Sequence, residues 1–397
     1  MTLPLNPAFA ATEPPPVMEA RRWLQGVTFP ADRPLINVSQ AAPVESPPLG
    51  LRQALADAAL NNPDAHLYGP VLGLPALREE IAAQFSSAYG GSISPHEVAI
   101  TQGCNQAFTA VMGTLAGTGD EGIVPVPWYF NHNMWLDMAG VRAVPLETGA
   151  TLIPDAQAAQ ALITPRTKAI ALVTPNNPGG VEYPAETVAA FRDLARAHGL
   201  ALIVDETYRD FDSRHSVELG GRPHDLFADP GWADTVIQLY SFSKAYRLTG
   251  HRVGSITASA ARLAEVEKFL DTVAICPSQL GQIGALWGMR NLRQWVAGER
   301  DEILARRRAM TEGFRALSGW KLLGCGAYFA YVEHPFDMAS DALCRRLVGE
   351  ASMLMLPGTM FQPDGSAAGW RQIRIAFANV DARGITEMFR RLAAFAP

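Results

Sequence analysis

From about residue 97 onward the chain returns repeatedly to short apolar runs, "EVAIT", "GIVPV", "KAIALV", "ALIVDE", "TVIQLY" and "RVGSITA", each followed by a segment long enough for a helix or a loop. Runs with hydrophobic side chains on both faces leave no side for water. They therefore read as strands of a covered, largely parallel sheet, whose neighbours are joined by crossover helices. One crossover is legible in detail: a proline opens Pro184 to His198, Val188, Phe191 and Leu194 fall on one side, and Gly199 ends it. The predicted fold class is α/β with a mostly parallel central sheet.

A chain of 397 residues exceeds the roughly 250 to 300 residues that one core holds, so two lobes are expected. An Arg- and Glu-rich segment from about Gln294 to Leu317 starts the second. After it, "KLLGCGAYFAYVEH" and "MLMLPG" read as hairpin strands, and Ile385, Met388, Phe389 and Leu392 mark a closing helix. The expected division is an N-terminal arm and part of a small domain over 1–45, a large domain over 46–290, and a small C-terminal domain over 291–397. Arm and C-terminal third join as a smaller α/β lobe, and the prolines of "MTLPLNPAFAATEPPPVMEA" suggest that the arm is extended.

Composition narrows the partners. A formal charge of -6 without a basic run argues against nucleic acid and anionic membranes, which attract clustered Lys and Arg. No stretch approaches the roughly 18 apolar residues of a membrane span, and the first residues lack the basic start of a signal peptide. Cys104, Cys276, Cys325 and Cys344 show no CxxC spacing, so neither disulfides nor a metal site is expected. Reduced thiols in a cytoplasmic protein fit best.

Ligands in open α/β sheets sit beyond the carboxyl ends of the strands. In "ALIVDETYRDF" Asp205 and Glu206 end such a run, with Tyr208 close behind; alone, the aspartate would be a helix cap or surface turn. In "YSFSKAYRLTGHRVG" Lys244 follows another run, set between small hydroxyl residues Ser241 and Ser243 and the arginine Arg252. A lone lysine is ordinarily a solvated charge. Here one carboxylate, one phenol and one amine are expected to converge on a sheet edge. "AITQGCNQAFTAVMG" adds a strand, a glycine and a helix with Phe108, Val111, Met112 and Leu115 on its apolar side, and the start of that helix suits a phosphate. "VTPNNPGGVEYP" ends a strand with turn-forming residues that serve either a turn or a site.

The order strand-GCN-helix, "PWYFNH", NNP, DxxY, SxSK and GxR resembles the class I/II aminotransferases, fold type I enzymes that use pyridoxal 5'-phosphate, from about Ile36 to the C-terminus. The resemblance implies a large domain around a mostly parallel sheet and a Schiff base between Lys244 and the cofactor aldehyde. It implies that Asp205 pairs with the protonated pyridine nitrogen, supported by His132, and that Tyr208 and Asn177 donate to the phenolate oxygen. Tyr129 takes the place of the ring stacked on the cofactor. Gly103, Cys104, Asn105, Ser241, Ser243 and Arg252 are implied to hold the phosphate, joined by Tyr68 from a neighbouring subunit, hence a homodimer with shared sites.

For the substrate, the resemblance assigns the α-carboxylate to Arg374, on the opposite face of its strand from Arg371. Ala41 stands where a glycine commonly touches substrate. "DTVAICPSQLGQ", which would supply the partner's pocket wall, has no arginine for a second carboxylate. The implied reaction moves an amino group from an L-amino acid to a 2-oxo acid, with Lys244, Asp205 and Tyr208 as catalytic groups. A lyase or synthase on the same scaffold is the near alternative. A non-catalytic regulatory module is the remote one, although such a module would be expected to have lost Lys244, Asp205 or Arg374.

Overall fold

The computed structural model describes residues 3–214 and 222–395. Its main sheet has seven strands, in spatial order Val98–Thr101, Gly254–Thr257, Val236–Ser241, Ala201–Asp205, Thr167–Val173, Glu121–Val126 and Arg142–Glu147. From Val236–Ser241 to Arg142–Glu147 every neighbouring pair is parallel. Gly254–Thr257 runs antiparallel to both its neighbours, because only the short helices Phe242–Ala245 and Thr249–His251 precede it. So brief a connection returns the chain but cannot cross the sheet.

Both faces are covered, which explains the unbroken apolar runs. Ile123, Leu172, Leu202 and Val204 belong to one core with Val188 and Phe191 of the helix Ala185–Ala197. Ala99, Val124, Ile203 and Ile256 belong to another with Phe108 and Val111 of Cys104–Gly113 and Leu263 and Val266 of Ala260–Ala274. Each large apolar side chain so buried contributes on the order of 1.5–3 kcal/mol. The crossover helix stops where Gly199 takes φ +64°, a left-handed conformation that favours glycine. The strand Arg142–Glu147 escaped the sequence reading because it is a half-exposed edge strand, and its "RAVPLE" has no continuous apolar run.

The C-terminal third forms a four-stranded antiparallel sheet in the order Leu356–Pro357, Gln372–Ile375, Phe329–Glu333, Lys321–Gly326. The early strand Ile36–Asn37 pairs in parallel with Met353–Leu354. Arg391 of the closing helix Ala382–Ala394 ties the same regions by donating to the carbonyls of Pro34, Ala351 and Ser352. The N-terminal arm differs from the extended segment expected: it folds as two short helices, Pro7–Ala11 and Pro16–Arg22. In each, a proline occupies the first helical position, where its fixed φ suits a helix and its missing N–H costs nothing. Ala20 is buried there, and Val17 and Trp23 pack against Leu354, Leu356 and Phe361. Among the described residues no helix is long and apolar enough to cross a membrane.

Candidate active site

The sheet register sets Thr101, Gly254 and Ser241 in one row at the strand ends. Above that edge opens a cavity of ≈ 660 Å³, lined by residues of the large sheet, of the C-terminal sheet and of the N-terminal arm. Its corners differ in chemistry.

At one corner the helix Cys104–Gly113 begins. The N–H groups of a helix's first turn have no intrahelical partner, so Cys104 and Asn105 present free donors with the positive end of the helix dipole. Gly103 caps the helix at φ +87°, and a Cβ there would come within 2.2 Å of Arg252 Nη2. Arg252 Nη1 donates to the Thr249 carbonyl at 3.1 Å and to Ser243 Oγ at 3.4 Å, and Nη2 donates to the Gln102 carbonyl at 3.4 Å. Ser241 Oγ accepts from the Ser243 N–H. Helix start, guanidinium and two hydroxyls together make a seat for a dianion.

The same cavity is lined by Asp205, 2% exposed at the end of its strand. Its Oδ1 accepts from the Thr207 N–H at 3.0 Å and from Thr207 Oγ1 at 2.7 Å, and His132 Nε2 stands 3.3 Å from Oδ2. The His132 ring is stacked on Phe108 at 3.7 Å, which fixes its plane. Burial pushes the Asp205 carboxyl up, but His132 and Thr207 outweigh it and hold the pKa below the ordinary value. A buried carboxylate thus remains charged. Burial and the same carboxylate raise the Cys104 thiol well above its usual range, leaving it neutral, as expected of a backbone contributor and not of a nucleophile.

Lys244 lines the same cavity, and its Nζ donates to the Ala41 carbonyl. Burial first, then the charges of Arg374 and Arg252, lower its pKa to about 8. Arg374, 2% exposed, donates from Nη1 to Asn177 Oδ1 at 3.0 Å and from Nη2 to the Ser39 carbonyl, while its buried Nε has no partner. Phe361 and Phe329 flank the guanidinium at 4.8 and 5.0 Å, and burial brings its pKa down to about 10. Arg371 points elsewhere, donating to the His334 carbonyl at 3.1 Å.

Asn177 and its neighbour divide their work. Asn176 builds the turn, accepting from the Gly179 N–H at 2.7 Å and donating to Tyr183 Oη at 3.0 Å. Asn177 gives its oxygen to Arg374, so its Nδ2 is the end left to donate. Burial raises the Tyr208 phenol well above its ordinary value and Tyr129 to about 12, so both are neutral hydroxyls. Tyr129 Oη donates to Asn105 Oδ1 at 3.1 Å and accepts from Asn131 Nδ2 at 2.8 Å.

Ala41, Cys104, Asn105, Tyr129, Asn177, Asp205, Tyr208, Ser241, Ser243, Lys244, Arg252 and Arg374 all line the one cavity, and Gly103 abuts it through Arg252. Tyr68 does not: it is 80% exposed on the outer surface, beside Cys276, whose Sγ accepts from the Gly69 N–H. The sequence reading missed Thr207, although a hydroxyl two residues after an aspartate is a known turn signal. It also missed Pro15, Val17, Met18 and Arg21 of the arm, which line the cavity mouth and carry no local signal for doing so.

Residues 33–392 match the family model described as aminotransferase class I and II. The arginine–pyruvate transaminase AruH of Pseudomonas aeruginosa is 31% identical over 367 residues, covering 90% of this chain and 89% of the relative. The structure of Thermus thermophilus aspartate aminotransferase with maleate superimposes with a TM-score of 0.86 at 26% identity, over 99% of this chain and 100% of that one. N-succinyldiaminopimelate aminotransferase from Mycobacterium tuberculosis gives 0.87 at 26% identity, with 99% and 100% covered.

Proposed function

The chain belongs to the class I and II aminotransferases, enzymes that move an amino group between amino acids and 2-oxo acids with pyridoxal 5'-phosphate, and on that premise we propose that Lys244, Asp205 and Arg374 carry the transfer. The cavity's residues fit this cofactor: a seat for a dianion, a buried carboxylate and an amine all line it. Bound there, it supplies an electron sink for the charge that develops at an amino acid's α-carbon.

The chain's own groups do the rest. Arg252, the N–H groups of Cys104 and Asn105, and the hydroxyls of Ser241 and Ser243 hold the phosphate, which cannot be buried unpaired. Asp205, kept anionic by Thr207 and His132, would hold a proton on the cofactor's pyridine nitrogen. Tyr208 Oη and Asn177 Nδ2 would be the donors to the cofactor's ring oxygen, and Tyr129 would cover the ring. Arg374 binds the substrate's α-carboxylate with a planar guanidinium whose Nε is still free. That grip fixes which bond at the α-carbon faces Lys244. With a pKa of about 8, Lys244 Nζ is poised near neutrality to take the α-proton and return it.

One observation carries the reading: the Lys244 amine is held by a backbone carbonyl and flanked by two arginines. A structural lysine would be paired with a carboxylate. The purified holoprotein, given an amino acid and a 2-oxo acid, is expected to yield the exchanged pair in equal amounts without free ammonia. Ammonia release that needs no 2-oxo acid would instead establish elimination.

We also propose a homodimer with shared sites. Leu67 is 62%, Tyr68 80%, Val273 58% and Ile275 43% exposed, and the Gly69–Cys276 contact joins the two segments. An apolar surface of this kind suits a subunit interface. Sedimentation is expected to give twice the chain mass, and Tyr68→Ala to weaken cofactor retention about tenfold or more, as for one lost hydrogen bond to a charged group. A monomer with full activity would defeat the proposal.

A further inference from the structure

We propose that Arg21, on the N-terminal helix Pro16–Arg22, determines substrate specificity by binding the side-chain carboxylate of an acidic amino acid or of the matching 2-oxo acid. The inference rests on the aminotransferase reading and extends it to the substrate. Five charged residues line the cavity: Arg21, Asp205, Lys244, Arg252 and Arg374. Four have counterparts in that reading. Asp205 faces the ring's proton, Arg252 the phosphate, Arg374 the α-carboxylate, and Lys244 is the amine that exchanges protons. Arg21 is a cation in the same space with nothing assigned to it.

Its neighbours leave it free for an anion. Arg22 pairs with Glu19 at 2.8 Å, and Arg345 reaches the same carboxylate at 3.4 Å. Among the described residues Arg21 has no carboxylate partner, and its Nη2 donates to the neutral Gln40 Oε1 at 2.7 Å. Gln40 lies between Ser39, whose carbonyl accepts from Arg374, and Ala41, whose carbonyl accepts from Lys244. The loop that meets both reactive cations therefore also holds Arg21 at the mouth. An amino acid with its α-carboxylate on Arg374 and its α-carbon at Lys244 leaves its side chain the rest of the same cavity, which Val17, Met18 and Arg21 line. The helix is anchored for the task by buried Ala20 and by Arg345, which reaches Glu19 at 3.4 Å. This route needs no arginine from the Asp271–Gln282 segment, which has none.

The test compares each acid with its amide, which has nearly the same shape and no charge: glutamate with glutamine, and aspartate with asparagine. The half-reaction is followed by cofactor absorbance in wild type, Arg21→Gln and Arg21→Lys. Wild type is expected to favour the acid at least about tenfold in kcat/KM in one pair, as one charge-assisted contact implies. Arg21→Gln should remove that preference through KM with kcat retained, while its amide reaction changes less than about threefold, and Arg21→Lys should restore part of it. Added salt should weaken the acid's reaction alone. Equal rates for acid and amide in both pairs, or an equal loss for both in Arg21→Gln, would overturn the proposal. If only neutral amino acids react, the assignment of Arg21 falls and the transferase stands. If no amino acid alters the spectrum, the transferase reading itself falls.

Discussion

Replacing Lys244 with alanine is expected to cut kcat by about 10⁴-fold or more, the upper end of what a positioned acid–base group supplies, while the protein still binds its cofactor. The two effects separate because they belong to different corners of the cavity. Arg252, Ser241, Ser243 and the start of the Cys104–Gly113 helix form the proposed phosphate seat without help from position 244. Proton transfer at the α-carbon has no second amine to perform it, since the nearest cations, Arg374 and Arg252, are guanidiniums. Lys244→Arg should therefore be as inactive as the alanine variant, although it keeps the charge. The alanine variant's loss should not come from unfolding, because the wild-type amine is desolvated and repelled by two arginines, so its removal relieves an unfavourable charge. Borohydride treatment followed by peptide mass measurement should label position 244 in wild type only. Full turnover in Lys244→Ala would end the assignment.

Much of this was legible in the sequence, for a physical reason: groups that end buried strands are placed by the sheet itself. Asp205 and Lys244 follow apolar runs that can only be interior, so their common edge is a consequence of topology. Strand alternation, together with the pattern "IRIAFA" after "LPGTMF", favours Arg374 over Arg371; in the structure Arg371 ends the helix Ala367–Arg371, just before the strand Gln372–Ile375, and the two side chains go in different directions. The order of the motifs along the chain, through its resemblance to a family, assigned roles that geometry alone leaves open.

What stayed hidden depends on contacts between distant segments. The strand Arg142–Glu147 alternates at an edge and hides its period in a short stretch. Arg21 looks like any helix-surface arginine until the arm folds over the cavity, and its partner Gln40 is just as ordinary. The proline-rich arm was expected to be extended because prolines break helices in their interior, whereas here they start them. Tyr68, exposed on a single chain, acquires its proposed role only against a second copy.

The Asp205→Asn variant is expected to lose roughly 10²- to 10⁴-fold in kcat, and the argument turns on charge at constant shape. Removing one member of a buried ion pair costs about 3–5 kcal/mol, and each 1.36 kcal/mol is a factor of ten in rate. Asparagine can still accept from the Thr207 N–H and Oγ1, so the turn after the strand should survive. It cannot hold a proton on the pyridine nitrogen, and a neutral ring withdraws electrons poorly from the α-carbon. Asp205→Glu keeps the charge but pushes it about one methylene further, against His132, which Phe108 holds in place by stacking at 3.7 Å. Its loss should therefore be smaller, and shared between KM for the cofactor and kcat. The comparison separates charge from packing: if asparagine is the milder substitution, Asp205 serves mainly as a hydrogen-bonded strut. If glutamate is the milder, the carboxylate's charge is what the site requires, and His132→Phe should then lower kcat in proportion to how far it weakens that charge's support.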